Sequence, residues 1–280
     1  MAISASDVKK LRDMTGAGMM DCKNALTQAN GDIEKAIEEL RKKGQKLSAK
    51  RADRETTEGV VIAKVSGNRN NGIIVKLGCE TDFVAKGDSF IGMVDKIADI
   101  ALKELPKTVE DLLRTSYGDG MTIGEKVIEQ TGVIGEKLSL SEYAKIETKA
   151  GEGQVLPYIH MGYKAGVLVA LNLEGPQFVD AGKDVAMQVA AMKPIAVSQE
   201  GVDQNTIDKE IEIGKELAKN EGKPEAMLEK IAKGRLNKFF RETTLLPQSF
   251  VKDSKKSVDA YLKEQDPNLT VTDFKHISLG

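Results

Sequence analysis

The sequence predicts an α+β protein: a three-helix bundle, a duplicated core of two antiparallel-sheet subdomains, and an antiparallel helical hairpin inserted into the second copy. Three observations predict it. Apolar residues recur at three- and four-residue spacing through the first 46 residues. A strand–turn–strand–helix pattern appears twice, the second copy 94 residues after the first. Residues 201–246 then interrupt that second copy with two highly charged helical segments.

Within the bundle, residues 1–46, Ser6 is expected to cap a helix with Val8 and Leu11 inward, ended by Thr15-Gly16-Ala17-Gly18. Met19 to Ala29 makes a second helix through Met19, Cys22, Ala25, Leu26 and Ala29. Asn30-Gly31 breaks the chain, Asp32 caps the third helix, and Ile33, Ala36, Ile37 and Leu40 form its stripe. Met19 fits the core or an exposed surface, whereas Met20 lies off the stripe; methionine adapts well to binding surfaces. The run Arg41 to Arg54 is basic and leads through a linker, 47–57. It reads as a solvated helix end whose cations offset the helix dipole. A nucleic-acid contact is the competing reading, but the run holds no aromatic for base stacking.

The first core subdomain spans 58–150. Val60 and Ile62 alternate with Val61, Ala63 and Val65, SGNRNNG turns the chain, and Gly72 to Leu77 returns as the second strand of a hairpin. That strand gives way to small polar residues, Gly78 to Asp82, and then to the apolar pair Phe83-Val84. Asp88 is expected to cap a helix carrying Phe90, Val94, Ile97, Ala101 and Leu105 inward. Thr81 to Val84 therefore sits between strand and helix, where a projecting tip can form; a phenyl ring there serves equally as a core plug. Val109 to Leu113 is helical, as is the segment from Thr122, where Thr122 and Glu125 have capping-box spacing. Leu138 to Thr148 alternates as an edge strand.

The second subdomain spans 151–200 and 247–280. Gly59-Val60-Val61 recurs as Gly153-Gln154-Val155, and Gly72-Ile73-Ile74-Val75 as Gly166-Val167-Leu168-Val169. One residue later in register, Phe83-Val84 recurs as Phe178-Val179. In the arm, 201–246, Ile207, Ile211 and Leu217 are expected to face Leu228, Ile231, Arg235 and Phe239. It either meets a partner or is an elaborate insertion. Ser254 to Glu264 reads as helix and Thr270 to Ser278 as a last strand.

Composition narrows the function. A net charge of −2, with 40% hydrophobic and 30% charged residues, fits a soluble globular chain with no global field for nucleic acid or an anionic membrane. MAISASDVKK has no apolar core for a signal peptide, and the apolar run from Ala165 to Leu173 is too short to span a bilayer. Cys22 and Cys79 lie far apart with no CxxC neighbour, which fits a reducing cytosol and argues against zinc. No phosphate loop, nucleophile elbow or paired metal-ligand spacing around His160 or His276 is present, so no catalytic residue, metal ligand or cofactor is expected. An RNA-binding or ribosome-associated module using the basic run 41–54, and a small hydrolase within the duplicated core, stay open.

Thr15-Gly16-Ala17-Gly18-Met19-Met20-Asp21-Cys22-Lys23, Asn30-Gly31-Asp32 and Thr81-Asp82-Phe83-Val84-Ala85 resemble the motifs of the elongation factor Ts family, the exchange factors of bacterial elongation factor Tu. The order of bundle, duplicated core and arm is similar too, and the resemblance covers essentially the whole chain. It implies a UBA-like bundle and a non-enzymatic guanine-nucleotide exchange factor of translation elongation, cytoplasmic, with no direct nucleic-acid or membrane contact. The partner it implies is elongation factor Tu, GDP-bound and nucleotide-free. By resemblance, Thr81, Asp82, Phe83 and Val84 intrude beside the Mg²⁺ site of Tu. Phe83 wedges between two switch-region helices and Asp82 helps displace the elements holding the ion. Arg12, Met19 and Met20 dock the bundle on the nucleotide-binding domain. His160, with Met161-Gly162, touches another domain of Tu, and Ile134-Gly135 lies on the contact face. The arm leaves open a homodimer, a heterotetramer with Tu, or neither. Some members carry a helical tail beyond the last strand, and any contact made by that tail is expected to be missing here or supplied elsewhere.

Overall fold

The computed structural model describes residues 3–118 and 120–280, so the first two residues of the expected bundle lie outside it. Helix α1 (Ala5–Thr15) is capped by Ser4 rather than Ser6. The Ser4 hydroxyl accepts from the Asp7 N–H at 3.1 Å and the Asp7 carboxylate accepts from the Ser4 N–H at 3.3 Å, a reciprocal box with Asp in the third position. Helices α2 (Met19–Gln28) and α3 (Ile33–Lys50) complete the bundle around Val8, Leu11, Cys22, Leu26 and Ala36. As expected, Asp32 caps α3, accepting from the Lys35 N–H.

In the first subdomain, β1 (Glu58–Val65) pairs antiparallel with β2 (Asn71–Cys79) in the register Val60↔Leu77 and Ile62↔Val75. There follow α4 (Asp82–Ala85), α5 (Asp88–Glu104), α6 (Val109–Arg114), a short ladder of β3 (Ser116–Gly118) with β4 (Met121–Thr122), α7 (Ile123–Ile134) and β5 (Ser139–Glu147). Strand β5 pairs with β2 at the sheet edge, giving the order β1-β2-β5. Thr122 and Glu125 form the expected capping box of α7. Asp88, by contrast, is the first residue of α5 and Gly87 its cap, so the aspartate adds charge to the first turn instead of a cap bond.

The second subdomain repeats this plan. Strands β6 (Gln154–Ile159) and β7 (Ala165–Leu171) form the hairpin, α8 (Val179–Met192) follows, and the arm α9 (Gln204–Asn220) and α10 (Glu225–Thr243) is inserted. The chain continues through β8 (Ser249–Phe250), β9 (Asp253–Ser257), α11 (Val258–Gln265) and β10 (Val271–Ser278), which completes the sheet β10-β7-β6. The helix expected from Ser254 begins only at Val258. Its inward residues are Val258 and Leu262, and Ser257 caps it by accepting from the Ala260 N–H at 3.1 Å.

Because both faces of β1 and β2 are apolar, both are covered. Val60, Ile62, Ile73 and Val75 meet Phe90, Val94 and Ile97 of α5, whereas Val61, Ala63 and Ile74 meet Val155, Leu168 and Ala170 of the other sheet. Leu156, Val167 and Val169 in turn meet Ala181, Val185 and Val189 of α8. The result is four layers: helix, sheet, sheet, helix. Gly72 and Gly166, equivalent in the repeat, make this close approach possible. A Cβ on Gly72 would stand 2.7 Å from Val155 Cγ1, and one on Gly166 3.0 Å from Val61 Cγ1. Val61 and Val155 are themselves equivalent positions, so the two halves pack by the same rule in both directions.

The arm departs from expectation in its seam. Gly214, Ala218 and Ala232 are buried between α9 and α10, and the small residues bring the backbones close. Leu217, one residue off that seam, is exposed on the flank, and Arg235 reaches Glu221 at 2.6 Å instead of packing inward. A parallel bridge between Ala196 and Thr244 closes the base of the arm.

Helix α3 runs four residues past 46 because its second half has a partner. It crosses α7 at Gly44 and Gly132, where a Cβ on Gly132 would lie 2.6 Å from the Gly44 Cα. Val133 of α7 also packs into the bundle core. The bundle is thus fastened to the core along α7. A Gly132→Val variant is expected to lose about 1–3 kcal/mol of stability through overpacking, since valine recovers little helix propensity. Denaturant unfolding, with amide exchange of Gly44 to Lys50 as the local readout, checks this.

Candidate functional site, a projecting tip and its neighbours

Strand β2 ends inside the core at Cys79, and the chain must then turn outward. Burial, then the Glu136 and Glu58 carboxylates, push the Cys79 thiol up to about 12, so it stays protonated at neutral pH; its S–H donates to the Thr81 carbonyl at 3.2 Å. Thr81 caps α4, its hydroxyl accepting from the Val84 N–H at 3.5 Å. The four residues of this helix divide by face. Ala85 is buried and Val84 packs on the first core, while Phe83 points away from the protein and is 86% exposed. The plug reading of Phe83 is therefore excluded, and its repeat partner Phe178 is the plug, 5% exposed within the second core.

Asp82 stands beside Phe83 on the exposed side. Its carboxylate accepts from Lys86 at 2.6 Å, and that hydrogen bond and charge hold its carboxyl below the ordinary carboxylate range. Behind the tip, Glu80 receives Arg51 Nη1 at 2.6 Å and the Lys137 backbone N–H at 2.6 Å. The Lys137 hydrogen bond first, and Arg51 after it, keep the Glu80 carboxyl low. The basic run is accordingly tied down in part: Arg51 to Glu80, Lys42 to Glu39, and Lys43 to Asp21.

Three segments named separately from the sequence are connected to this tip through its neighbours. Ile134 ends α7 and Gly135 caps it in the left-handed conformation at φ 85°, which turns the chain toward the backbone of Thr81. Val133, just before them, faces the α1–α2 loop at Gly16, so the bundle loop adjoins the same end of α7. On that loop side Arg12 is exposed, as are Met19 at 46% and Met20 at 65%; the core alternative for Met19 falls. The turn after β6 carries exposed His160, its Nδ1 3.1 Å from the Tyr158 hydroxyl, and Met161 at 86% exposure. Lys164 of that turn pairs with Glu58 at 2.5 Å, and Glu58 is the cross-strand partner of Cys79. The second hairpin is thereby pinned to the tip's end of the first sheet. Sequence reasoning missed these fasteners, Arg51, Lys164 and above all Glu136, because spacing cannot pair glutamates and cations so far apart in the chain.

Among the described residues no cluster of three or more His, Cys, Asp or Glu side chains is placed to hold a metal ion, and no helix is long and apolar enough to cross a membrane.

Residues 80–280 match the family described as Elongation factor TS. A protein of Amoebophilus asiaticus named Elongation factor Ts is 52% identical over 281 residues, covering 100% of both chains. Proteins of the same name from Cytophaga hutchinsonii and Christiangramia forsetii are 52% and 50% identical, each comparison covering 99% of both chains. A duplicated α+β core that presents a phenylalanine-tipped turn at one end, with these relatives, defines a translation elongation factor. The chain belongs to the elongation factor Ts family.

Proposed function

We propose that this chain is a guanine-nucleotide exchange factor that binds elongation factor Tu·GDP and the nucleotide-free form and promotes GDP release. Tu holds its nucleotide through phosphate contacts and a magnesium ion that bridges nucleotide and protein oxygens. In this reading the bundle docks through Arg12, Met19 and Met20, and the His160 turn engages a second region of the partner. Ile134 and Gly135 lie on the contact face. Phe83 then enters a cleft near the phosphate site while Asp82 disturbs the groups around the ion. The observation that carries the proposal is the Phe83 ring, 86% exposed on a short helix whose other apolar residues face inward. Burying a large apolar group in a partner is favourable by about 1.5–3 kcal/mol for one phenylalanine.

The energetics follow linkage. Exchange factor and GDP each weaken the other's grip on Tu by the same factor, so the factor acts by preferring the open form. Burying one phenylalanine supplies about 1.5–3 kcal/mol, too little to expel a tightly held nucleotide alone. The remaining segments therefore provide affinity, and the tip converts part of it into distortion of the ion site. Stopped-flow release of a fluorescent GDP from elongation factor Tu tests the proposal: addition of this chain is expected to accelerate release in a saturable manner. A release rate indifferent to the chain would remove it.

A further inference from the structure

Helix α4 has only four residues, and a helix that short has no stability of its own in water. Something outside it must set the direction in which Phe83 points. Val84 and Ala85 fix its inner face by packing, but its entry is governed by hydrogen bonds that the chain donates to a single distant side chain. Glu136 lies directly after the left-handed cap Gly135. One of its carboxylate oxygens accepts from the backbone N–H groups of Glu80 at 3.2 Å and Thr81 at 3.0 Å. The other accepts from the Thr81 hydroxyl at 2.6 Å. That same hydroxyl oxygen caps α4 by accepting from Val84. Three donors on the tip's threshold thus converge on one carboxylate, and charge-assisted bonds of this kind are about twice as strong as neutral ones.

The arrangement is reciprocal. Glu80, whose backbone Glu136 holds, sends its own carboxylate back to the Lys137 N–H and to Arg51. The exit of β2 and the exit of α7 therefore grip each other, and Arg51 offsets the charge of Glu80. The second copy is built differently. There Gly175-Pro176 stands where the first copy has Glu80-Thr81, the Gly175 carbonyl accepts from Gln154 at 2.9 Å, and Phe178 turns into the core. The glutamate clasp occurs in the copy whose phenylalanine faces out.

We propose that Glu136 is a positioning residue for nucleotide exchange: it fixes the N-terminus of α4 so that Phe83 projects at the angle the partner's cleft requires. This rests on the exchange-factor reading. Glu136 acts through Phe83 and Thr81, not by touching the nucleotide.

The test uses the full chain as wild type, Glu136→Gln, Phe83→Ala and the double variant, in saturable release of fluorescent GDP from elongation factor Tu. Glu136→Gln keeps the size of the side chain and removes the charge, and it turns one acceptor into a donor facing donors. Its maximal release rate is expected to fall roughly tenfold, with the half-saturating concentration changed less than about twofold. The double variant is expected to match Phe83→Ala alone, because a misdirected tip without its ring has nothing further to lose. Amide exchange at Glu80 and Thr81 should quicken while that of β2 and α5 stays as in wild type. A Glu136→Gln protein with wild-type release, a defect confined to the half-saturating concentration, or losses that add in the double variant would each overturn the positioning role while leaving the exchange function intact. A wild-type chain that fails to accelerate release overturns both.

Discussion

A Phe83→Ala protein is expected to fold normally and still dock, yet to lose about 10- to 100-fold in maximal GDP release. The range is the burial free energy of one phenylalanine, about 1.5–3 kcal/mol, at about 1.4 kcal/mol per tenfold. Stability should change by no more than about 0.5 kcal/mol, because the ring is 86% exposed and alanine is a good helix former. Linkage adds a second requirement. If the ring is inserted only in the open form of the partner, its removal weakens binding to nucleotide-free Tu more than binding to Tu·GDP. Stopped-flow release gives the rate, calorimetric titration of both partner forms gives the two affinities, and denaturant unfolding gives the stability. Wild-type rates from a folded Phe83→Ala protein would leave the tip without a role.

The outline of this fold was legible because duplication wrote it twice. The hairpins, the helices after them, the last strand and the inserted arm all carry periodicity within short windows, and the repeat supplied their pairing. The tip was legible as a place, the exit of β2, but not as a state. A phenylalanine common to both copies left plug and projecting tip both open, the family resemblance favoured projection, and the structure separates exposed Phe83 from buried Phe178. The reason lies in the preceding residues. Glu80-Thr81 bears polar side chains and two backbone N–H groups that distant side chains grip, whereas Gly175-Pro176 has no polar side chain and Pro176 no N–H. Helix starts were read less well where a serine or aspartate one or two positions away competes as cap, as with Ser4 against Ser6 and Gly87 against Asp88. The seating of the bundle on α7 was invisible, since Gly44 and Gly132 carry no apolar side chain to mark their close crossing. In the arm, Leu217 was placed inward because a leucine at helical spacing outranks an alanine in any hydrophobic pattern. The seam instead follows Gly214 and Ala218, where small size permits contact.

Phe178→Ala should give the opposite phenotype from Phe83→Ala, and the contrast isolates what the second copy contributes. Phe178 is 5% exposed and packs with Leu156, Val185 and Leu262 in the second core. Truncating such a ring leaves a cavity beneath the start of α8, at a typical loss of about 3–5 kcal/mol. Against a total stability of about 5–15 kcal/mol for a folded domain, that is a large share. Urea unfolding should therefore show a much lower midpoint with an unchanged slope. The folded fraction that remains keeps its tip, since Glu80, Thr81, Glu136 and Phe83 all belong to the first subdomain. Scaled to folded protein, its maximal GDP release should stay near wild type, with any defect in the half-saturating concentration through the His160 turn, which the second sheet carries. Loss of maximal rate in a fully folded Phe178→Ala protein would mean that the second core shapes the tip itself. Equal stability of the Phe178→Ala and Phe83→Ala proteins would contradict the burial from which both expectations follow.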